Sequence, residues 1–318
     1  MASAATHTWT PADAPRLDGK SAIVTGATGG IGYETALGFA RQGATTILAA
    51  RNAQKGAQAV ARIRQAVPGA SVRFEPMDLA SLASVAAFAA AQPAVIDILV
   101  NNAGVMGFPT RQRTKDGFEQ QIGVNYLAHF ALTARLLPAL CAAPQGRVVS
   151  VASLAHRRAS LDLDDLQSER AYNPMRAYGQ SKLAELVFAL ELHRQARRNG
   201  WAVSSMAAHP GWASTDIIGN GMGAGGGLAG LKAGLIATVF GLVAQSAHDG
   251  ALPSLYAATA PEAKSGGYYG PTRFNETRGT PGEARIFPQA TDPTVGPRLW
   301  ALSEKLTGAS FSLPQPAH

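Results

Sequence analysis

Two groups of residues in this 318-residue chain have types and spacings suited to chemistry. Tyr178 and Lys182 stand four positions apart. On a helix this puts both side chains on one face, about 6 Å apart at Cβ. An isolated tyrosine ionises near pH 10 and is a slow acid or base at neutral pH. A neighbouring ammonium favours the phenolate, so the pair can exchange a proton with an oxygen. Ser153 follows a strand-like run, where its hydroxyl can hydrogen-bond that oxygen. The competing reading is an exposed Tyr and Lys on an amphipathic helix. The second group is Thr25-Gly26-Ala27-Thr28-Gly29-Gly30-Ile31-Gly32. It lies between an apolar run, 21–24, and residues with helical spacing, Ala36, Leu37, Phe39 and Ala40. Such a turn lets backbone approach a phosphate, and the following helix N-terminus offers N–H groups and a positive dipole to a pyrophosphate. The glycines at 26, 30 and 32 depart from the commonest G-x-G-x-x-G fingerprint. In a chain with 34 glycines, an ordinary turn is the alternative.

The rest of the chain supplies elements that can position these residues. A length of 318 residues and 46% hydrophobic content suit a globular fold with a sizeable core. The single cysteine, Cys141, excludes an internal disulfide, suggests a reducing compartment and reads as a quiet buried thiol. Residues 1–16 lack an apolar signal-peptide core, and a cytoplasmic location is expected. The net charge of +7 comes from scattered basic residues without a recognition motif, which disfavours nucleic-acid binding. No metal site is expected.

Strand-like and helix-like segments alternate. Strands are expected at 21–24, 45–49, 71–75, 95–100, 147–151 and 201–207, and a last one ends near 268–271. Helices are expected over 53–66, 81–91, 118–137 (stopping at Pro138), 175–198 and 297–306. This order predicts an α/β, single-domain, Rossmann-like doubly wound parallel sheet with helices on both faces, its ligand at the carboxyl ends of the strands. Residues 1–18 read as an N-terminal arm and 271–318 as a C-terminal extension.

The motifs resemble those of the short-chain dehydrogenases/reductases. Thr25-Gly26-x3-Gly30-Ile31-Gly32 is similar to that family's cofactor turn, and Asn101-Asn102-Ala103-Gly104 to its motif after the fourth strand. Ser153, Tyr178 and Lys182 match its catalytic trio, and Asn125 falls where the family keeps a catalytic asparagine. His209-Pro210-Gly211, with Thr215, matches the segment that closes over nicotinamide. The resemblance covers about four-fifths of the chain. It implies that Lys182 also bonds the cofactor ribose and that Asn125 holds a water linking Lys182 to solvent. Cofactor contacts are then expected from Gly26, Thr28, Gly29, Gly30, Ile31, Gly32, Asn102, Ala103, Gly104, Tyr178, Lys182, Pro210, Gly211 and Thr215. Ser153 and Tyr178 are 25 positions apart, whereas many members have about half that spacing. The inserted stretch with Asp162, Asp164 and Asp165, together with Ser153-Leu154-Ala155-His156, resembles the retinol-dehydrogenase-like branch.

Cofactor choice turns on the end of the second strand. NAD-preferring enzymes usually carry Asp or Glu about 20 residues after the glycines. Here Ala50 is followed by Arg51 and Asn52. A guanidinium offers paired donors to a 2′-phosphate, and no carboxylate repels it, so NADP(H) is expected over NAD(H). A solvated surface arginine is the alternative. Asp78-Leu79 matches the family's adenine-flanking pair.

Residues 217–247 are glycine-rich and apolar. By family position they form a substrate lid, with glycines that let its start move; a packing helix competes. A membrane contact is disfavoured, because Lys232 and repeated glycines interrupt a span barely long enough to cross. Met106, Phe108, His156 and Trp212 are expected to line an apolar site. The resulting reading is a hydride-transferring oxidoreductase acting on a small apolar carbonyl or secondary alcohol. Reduction of a conjugated C=C bond and a non-catalytic cofactor-binding sensor are the alternatives. Family members are often dimers or tetramers, so a homo-oligomer is compatible with this reading.

Overall fold

The computed structural model describes residues 8–212 and 245–313. Thr215 and the expected lid as far as residue 244 lie outside the described residues. Eight strands form one sheet in the order β3-β2-β1-β4-β5-β6-β7-β8. They are β1 (Ser21–Thr25), β2 (Thr45–Ala50), β3 (Val72–Pro76), β4 (Ile98–Asn101), β5 (Gly146–Val151), β6 (Val203–Ala208), β7 (Tyr268–Arg273) and β8 (Arg278–Glu283). All neighbours pair in parallel except β7 with β8, which form an antiparallel hairpin.

Among the described residues the α-helices are α1 (Gly30–Arg41), α2 (Ala53–Ala66), α3 (Leu82–Ala90), α4 (Ala128–Ala142), α5 (Pro174–Asn199), α6 (Ala247–Thr259), the single turn α7 (Pro288–Thr291) and α8 (Val295–Thr307). Strand period 2 divides the core into two layers. Ile23, Ile47, Leu99, Val148, Ala207 and Tyr268 face α3, α4, α5 and α8. Their successors Val24, Leu48, Val100, Val149, Ala208 and Tyr269 face α1, α2 and α6. Strands buried on both faces read as continuous apolar runs, which is how most were legible. Trp9 and Leu17, in the expected N-terminal arm, are buried in the second layer. The Trp9 ring meets Tyr256 edge-on at 5.3 Å.

Four expectations are corrected. The helix expected to stop at Pro138 runs through it to Ala142. One lost N–H is outweighed by burial of Leu136, Leu137 and Leu140. Its entry is a π-helical stretch, Ile122–Leu127. β4 begins at Ile98 rather than 95, leaving Val95 exposed. β8 was not expected, since Arg-Gly-Thr-Pro-Gly-Glu has loop composition; Pro and Gly are tolerated on this edge strand. α6, which contains Pro253, was also not expected. Among the described residues, no helix is long and apolar enough to cross a membrane.

The C-terminal segment is fastened by an aromatic cluster. Phe130 of α4 lies 5.2 Å from Trp300, 5.1 Å from Phe311 and 5.5 Å from Phe188, ring centre to ring centre. Phe130→Ala empties the middle of this cluster and is expected to cost about 3–5 kcal/mol of stability, read from denaturant midpoints. A loss below about 1 kcal/mol would show that the cluster does not bind the segment to the core.

Candidate active site

The carboxyl ends of β1 and β4 lie side by side where the strand order reverses, the position at which doubly wound sheets bind ligands. The two ends are stitched together closely. The Thr25 hydroxyl accepts the N–H groups of Asn102 and Ala103, each at 2.9 Å, and the Asn102 carboxamide donates to Thr25 O at 2.8 Å. A side chain on Gly26 would stand 2.9 Å from Ala103 Cα, and one on Gly32 would collide with the Asn102 carboxamide. These two glycines are therefore demanded by close approach, whereas Gly30 (φ +54°) has open space around its Cα hydrogens. α1 starts at Gly29 with no side-chain cap, so its first turn keeps N–H groups for an anion. Thr28, Gly29 and Gly30 are partly exposed beside it, and Ile31 is buried. This cradle fits a pyrophosphate.

Arg51 and Asn52 are exposed beyond β2. The Asn52 carboxamide accepts the Lys55 N–H at 2.9 Å and caps α2, so it is partly committed to the fold. Asp78 pairs with Lys115 at 2.9 Å and accepts the Ala80 N–H at 3.0 Å. Desolvation opposes its ionisation, but these partners, with the Arg51 charge, hold its carboxyl below the ordinary value. Leu79 packs on the core beside it.

Asn125 lies in the π-helical stretch, a geometry frequent at functional sites. Its carboxamide accepts the Val105 N–H at 2.8 Å and donates to Val105 O at 3.0 Å and to Ser181 Oγ at 2.9 Å. The side chain is thus spent on fastening the loop after Gly104 to α5. Its main-chain carbonyl accepts from His129 Nδ1 at 2.7 Å. A carbonyl can only accept, so Nδ1 carries the proton and Nε2 accepts the Thr25 hydroxyl at 2.9 Å. Burial drives His129 down to about 4, keeping this ring neutral. Sequence reasoning missed His129, whose only signal is a histidine inside an apolar helix.

Ser153 lies two residues beyond β5 and caps the following turn, Leu154–Arg158, by accepting the Ala155 N–H at 3.2 Å. Its own O–H proton remains for a ligand oxygen. α5 begins at Asn173, whose side chain accepts the N–H groups of Met175 and Arg176 at 3.0 Å. The insertion is pinned to this helix, since Gln180 accepts the Asp162 N–H at 2.9 Å and donates to Leu166 O at 3.1 Å. A side chain on Gly179 would stand 3.2 Å from Ala159 Cβ, so this glycine lets the Tyr178 turn press against the Ser153 turn. Lys182 Nζ lies 5.8 Å from the Tyr178 ring centre and donates to Val151 O at 3.0 Å. A side chain on Gly104 would stand 3.3 Å from Lys182 Nζ, which places the Asn102–Gly104 loop against the lysine. The structure therefore brings Asn125, Ser153, Tyr178, Lys182 and the glycine cradle to one end of the sheet. Lys182 also pairs with buried Glu185 at 2.9 Å, a residue that sequence reasoning passed over.

Three residues expected to line the substrate site are accessible to solvent. Met106 and Phe108 are partly exposed, with Phe108 O accepting from Tyr172 at 3.1 Å; Trp212 is exposed. His156 corrects its expectation. It is 0% exposed, its Nδ1 bonded to Ser153 O at 2.6 Å and its ring wedged between Tyr268 and Phe287. It backs Ser153 and does not line the site.

The Pro210-Gly211 turn is clamped by the β7–β8 hairpin, which also went unforeseen. Gly211 (φ +66°) donates to His209 Nδ1 at 3.1 Å, so His209 Nε2–H faces Glu276 at 3.2 Å. Gln245 donates to Pro210 O, and Trp212 N–H to Thr277 O at 2.8 Å. Glu276 also takes Arg157 at 2.6 Å. Desolvation would raise its carboxyl, but His209, the Arg285 N–H and the Arg157 charge bring it down to about 2. Phe274, Asn275 and Glu276 all have φ between +50° and +63°, a conformation costly for such residues and held here by these contacts.

The model for short chain dehydrogenase matches residues 20–221, and the chain belongs to that family of oxidoreductases. Within it, the chain falls in the retinol-dehydrogenase-like branch. Mouse polyprenol dehydrogenase is 42% identical over 303 residues, covering 93% of this chain and 86% of its own. Human retinol dehydrogenase 13 is 40% identical over 298 residues, covering 92% and 86%. Among solved structures, an uncharacterized protein from Mycobacterium paratuberculosis superposes with a TM-score of 0.79 at 37% identity, over 96% of this chain and all of that one.

The Glu276 clamp makes a pH-dependent prediction. Its folded carboxyl titrates below the ordinary value, so its stabilisation is complete above about pH 5 and fades as the pH falls from about 4.5 toward 2. Glu276→Gln is expected to lower the denaturant midpoint at pH 7, with the gap to wild type narrowing between about pH 4.5 and 3. A gap independent of pH would assign the effect to packing rather than charge.

Proposed function

We propose that the protein moves a hydride between NADP(H) and an apolar alcohol or carbonyl compound, with Tyr178 as the acid–base group. The observation that carries this reading is Lys182 beside the Tyr178 ring and against the Asn102–Gly104 loop, with the turn capped by Ser153 packed on the same helix. The cofactor, when bound, supplies or receives the hydride at its nicotinamide. Gly26 to Gly32 and the first turn of α1 hold its phosphates, the Asn102–Gly104 loop and Lys182 its nicotinamide ribose, and Pro210-Gly211 its far side. The Ser153 hydroxyl donates to the substrate oxygen and fixes it beside Tyr178. In carbonyl reduction Tyr178 gives that oxygen its proton; in alcohol oxidation the phenolate removes one.

The preference for NADP(H) rests on Arg51. No carboxylate stands at position 50, and Arg51 is exposed at the end of β2, close enough to act on the Asp78 charge. The relatives named for retinol and polyprenol favour a long apolar allylic alcohol, or its carbonyl, as substrate class.

Two variants test this reading. Tyr178→Phe is expected to keep cofactor binding and lower kcat at least about 100-fold, measured with retinol and a polyprenol. Near-normal turnover would remove Tyr178 from proton transfer. Arg51→Ala is expected to weaken NADPH about 10- to 150-fold, the worth of one charge-assisted bond, while leaving NADH nearly unchanged. Equal losses for both cofactors, by fluorescence titration, would make Arg51 a fold or surface residue and remove the 2′-phosphate contact.

A further inference from the structure

Lys182 does not act alone on Tyr178. Three positions along the same helix face, Glu185 places a carboxylate oxygen 2.9 Å from Lys182 Nζ, with the two side chains 4% and 2% exposed. Neither Glu185 oxygen has a further hydrogen-bond partner among the described residues, so this charge is directed at Lys182. The lysine spends a second donor on Val151 O at 3.0 Å and keeps a third for a ribose. A buried ion pair is a poor source of stability, because the desolvation of both ions consumes the attraction between them. What it does supply is charge control.

We propose that Glu185 is a positioning residue that holds Lys182 between Tyr178 and the cofactor ribose and, through its negative charge, sets the pH at which the Tyr178–Lys182 pair releases its proton. This rests on the acid–base role of Tyr178 proposed above. The ammonium alone gives the pair a positive charge that eases proton loss. The Glu185 oxygen is 2.9 Å from Nζ and Nζ is 5.8 Å from the Tyr178 ring centre, so the carboxylate stands no more than about 9 Å from the ring and cancels more than half of that help. Protons leave such a coupled set in macroscopic steps. Removing one negative charge makes the first loss easier whether it comes from the phenol or from the ammonium.

The surrounding groups leave this effect visible. The titratable side chains that sense the pair from other elements are His129 of α4 and Tyr268 of β7. Burial holds His129 at about 4 and Tyr268 well above its ordinary value, so both stay neutral across the working range. Burial pushes the Glu185 carboxyl up to about 8, against the pull of Lys182. Lys182, which burial would lower, is held above its ordinary value by Glu185 first and Tyr178 second. The carboxyl is therefore charged above about pH 8.

The test is the pH profile of kcat/KM for oxidation of retinol and a polyprenol by the full chain with NADP, in wild type, Glu185→Gln, Glu185→Asp and Tyr178→Phe. Glu185→Gln is expected to move the rising limb about one pH unit lower, and Glu185→Asp, which keeps the charge, to track wild type. A parallel readout without turnover is tyrosinate absorbance, taken as the difference between each protein and its Tyr178→Phe counterpart. If Glu185→Gln fails to fold, Glu185→Met is read in the same way. A limb and tyrosinate titration that coincide with wild type in the neutral variants overturn the role of Glu185. Wild-type turnover that survives Tyr178→Phe instead overturns the acid–base reading on which it rests.

Discussion

The Thr25 hydroxyl is the joint on which the site depends. It accepts two N–H groups from the end of β4 and donates to His129, which in turn donates to the Asn125 carbonyl. One buried side chain thereby fixes the glycine cradle, the Asn102–Gly104 loop and the π-helical stretch in a common frame. Each group in this chain is satisfied, and a fully satisfied buried network is rigid, whereas a partly satisfied one is costly. The close approach it enforces is also why Gly26 and Gly32 tolerate no side chain. Lys182 reaches its place beside Gly104 because Asn125 binds both Val105 and Ser181, tying that loop to α5.

A second frame comes from the far end of the chain. The β7–β8 hairpin sends Glu276 back to His209 and Arg157, so one carboxylate holds both the turn beyond β6 and the segment beyond Ser153. Gln289 adds bonds to His156 O and Arg157 O at 3.1 and 3.0 Å. The C-terminal segment is therefore part of the scaffold of the site. Its aromatic cluster anchors it to α5, which carries Tyr178, and to α4, which continues the π-helical stretch that carries Asn125. Three successive residues with positive φ in the hairpin tip show how far local conformation is bent to serve that contact.

Much of this was legible in the sequence because it is local. A run buried on both faces, a glycine turn and a Tyr–Lys pair at helical spacing each follow from a few adjacent residues. What escaped has two causes. Glu276 and His209 are 67 residues apart, and nothing in either neighbourhood announces the other; β8, rich in Gly and Pro, hides the strand that brings them together. Other misses were in plain view. Glu185 is one turn from Lys182, and a carboxylate there changes the charge that a Tyr-x3-Lys pattern implies, so the pattern taken alone overstates how strongly the lysine acts on the phenol. Asn125 was recognised by position, but its side chain is consumed by the scaffold, a fact set by tertiary contacts and invisible in spacing.

The central claim is that this arrangement passes a hydride to a carbonyl carbon while Tyr178 protonates the oxygen. The most direct measurement is isotope tracing in the intact protein with NADPH deuterated at the transferable position of its nicotinamide. Retinal, a polyprenal and apolar ketones serve as acceptors, and mass spectrometry locates the label. The expected product is an alcohol with deuterium on the former carbonyl carbon. A saturated product labelled at the former C=C bond, or tight NADPH binding with no labelled product from any acceptor, would contradict it.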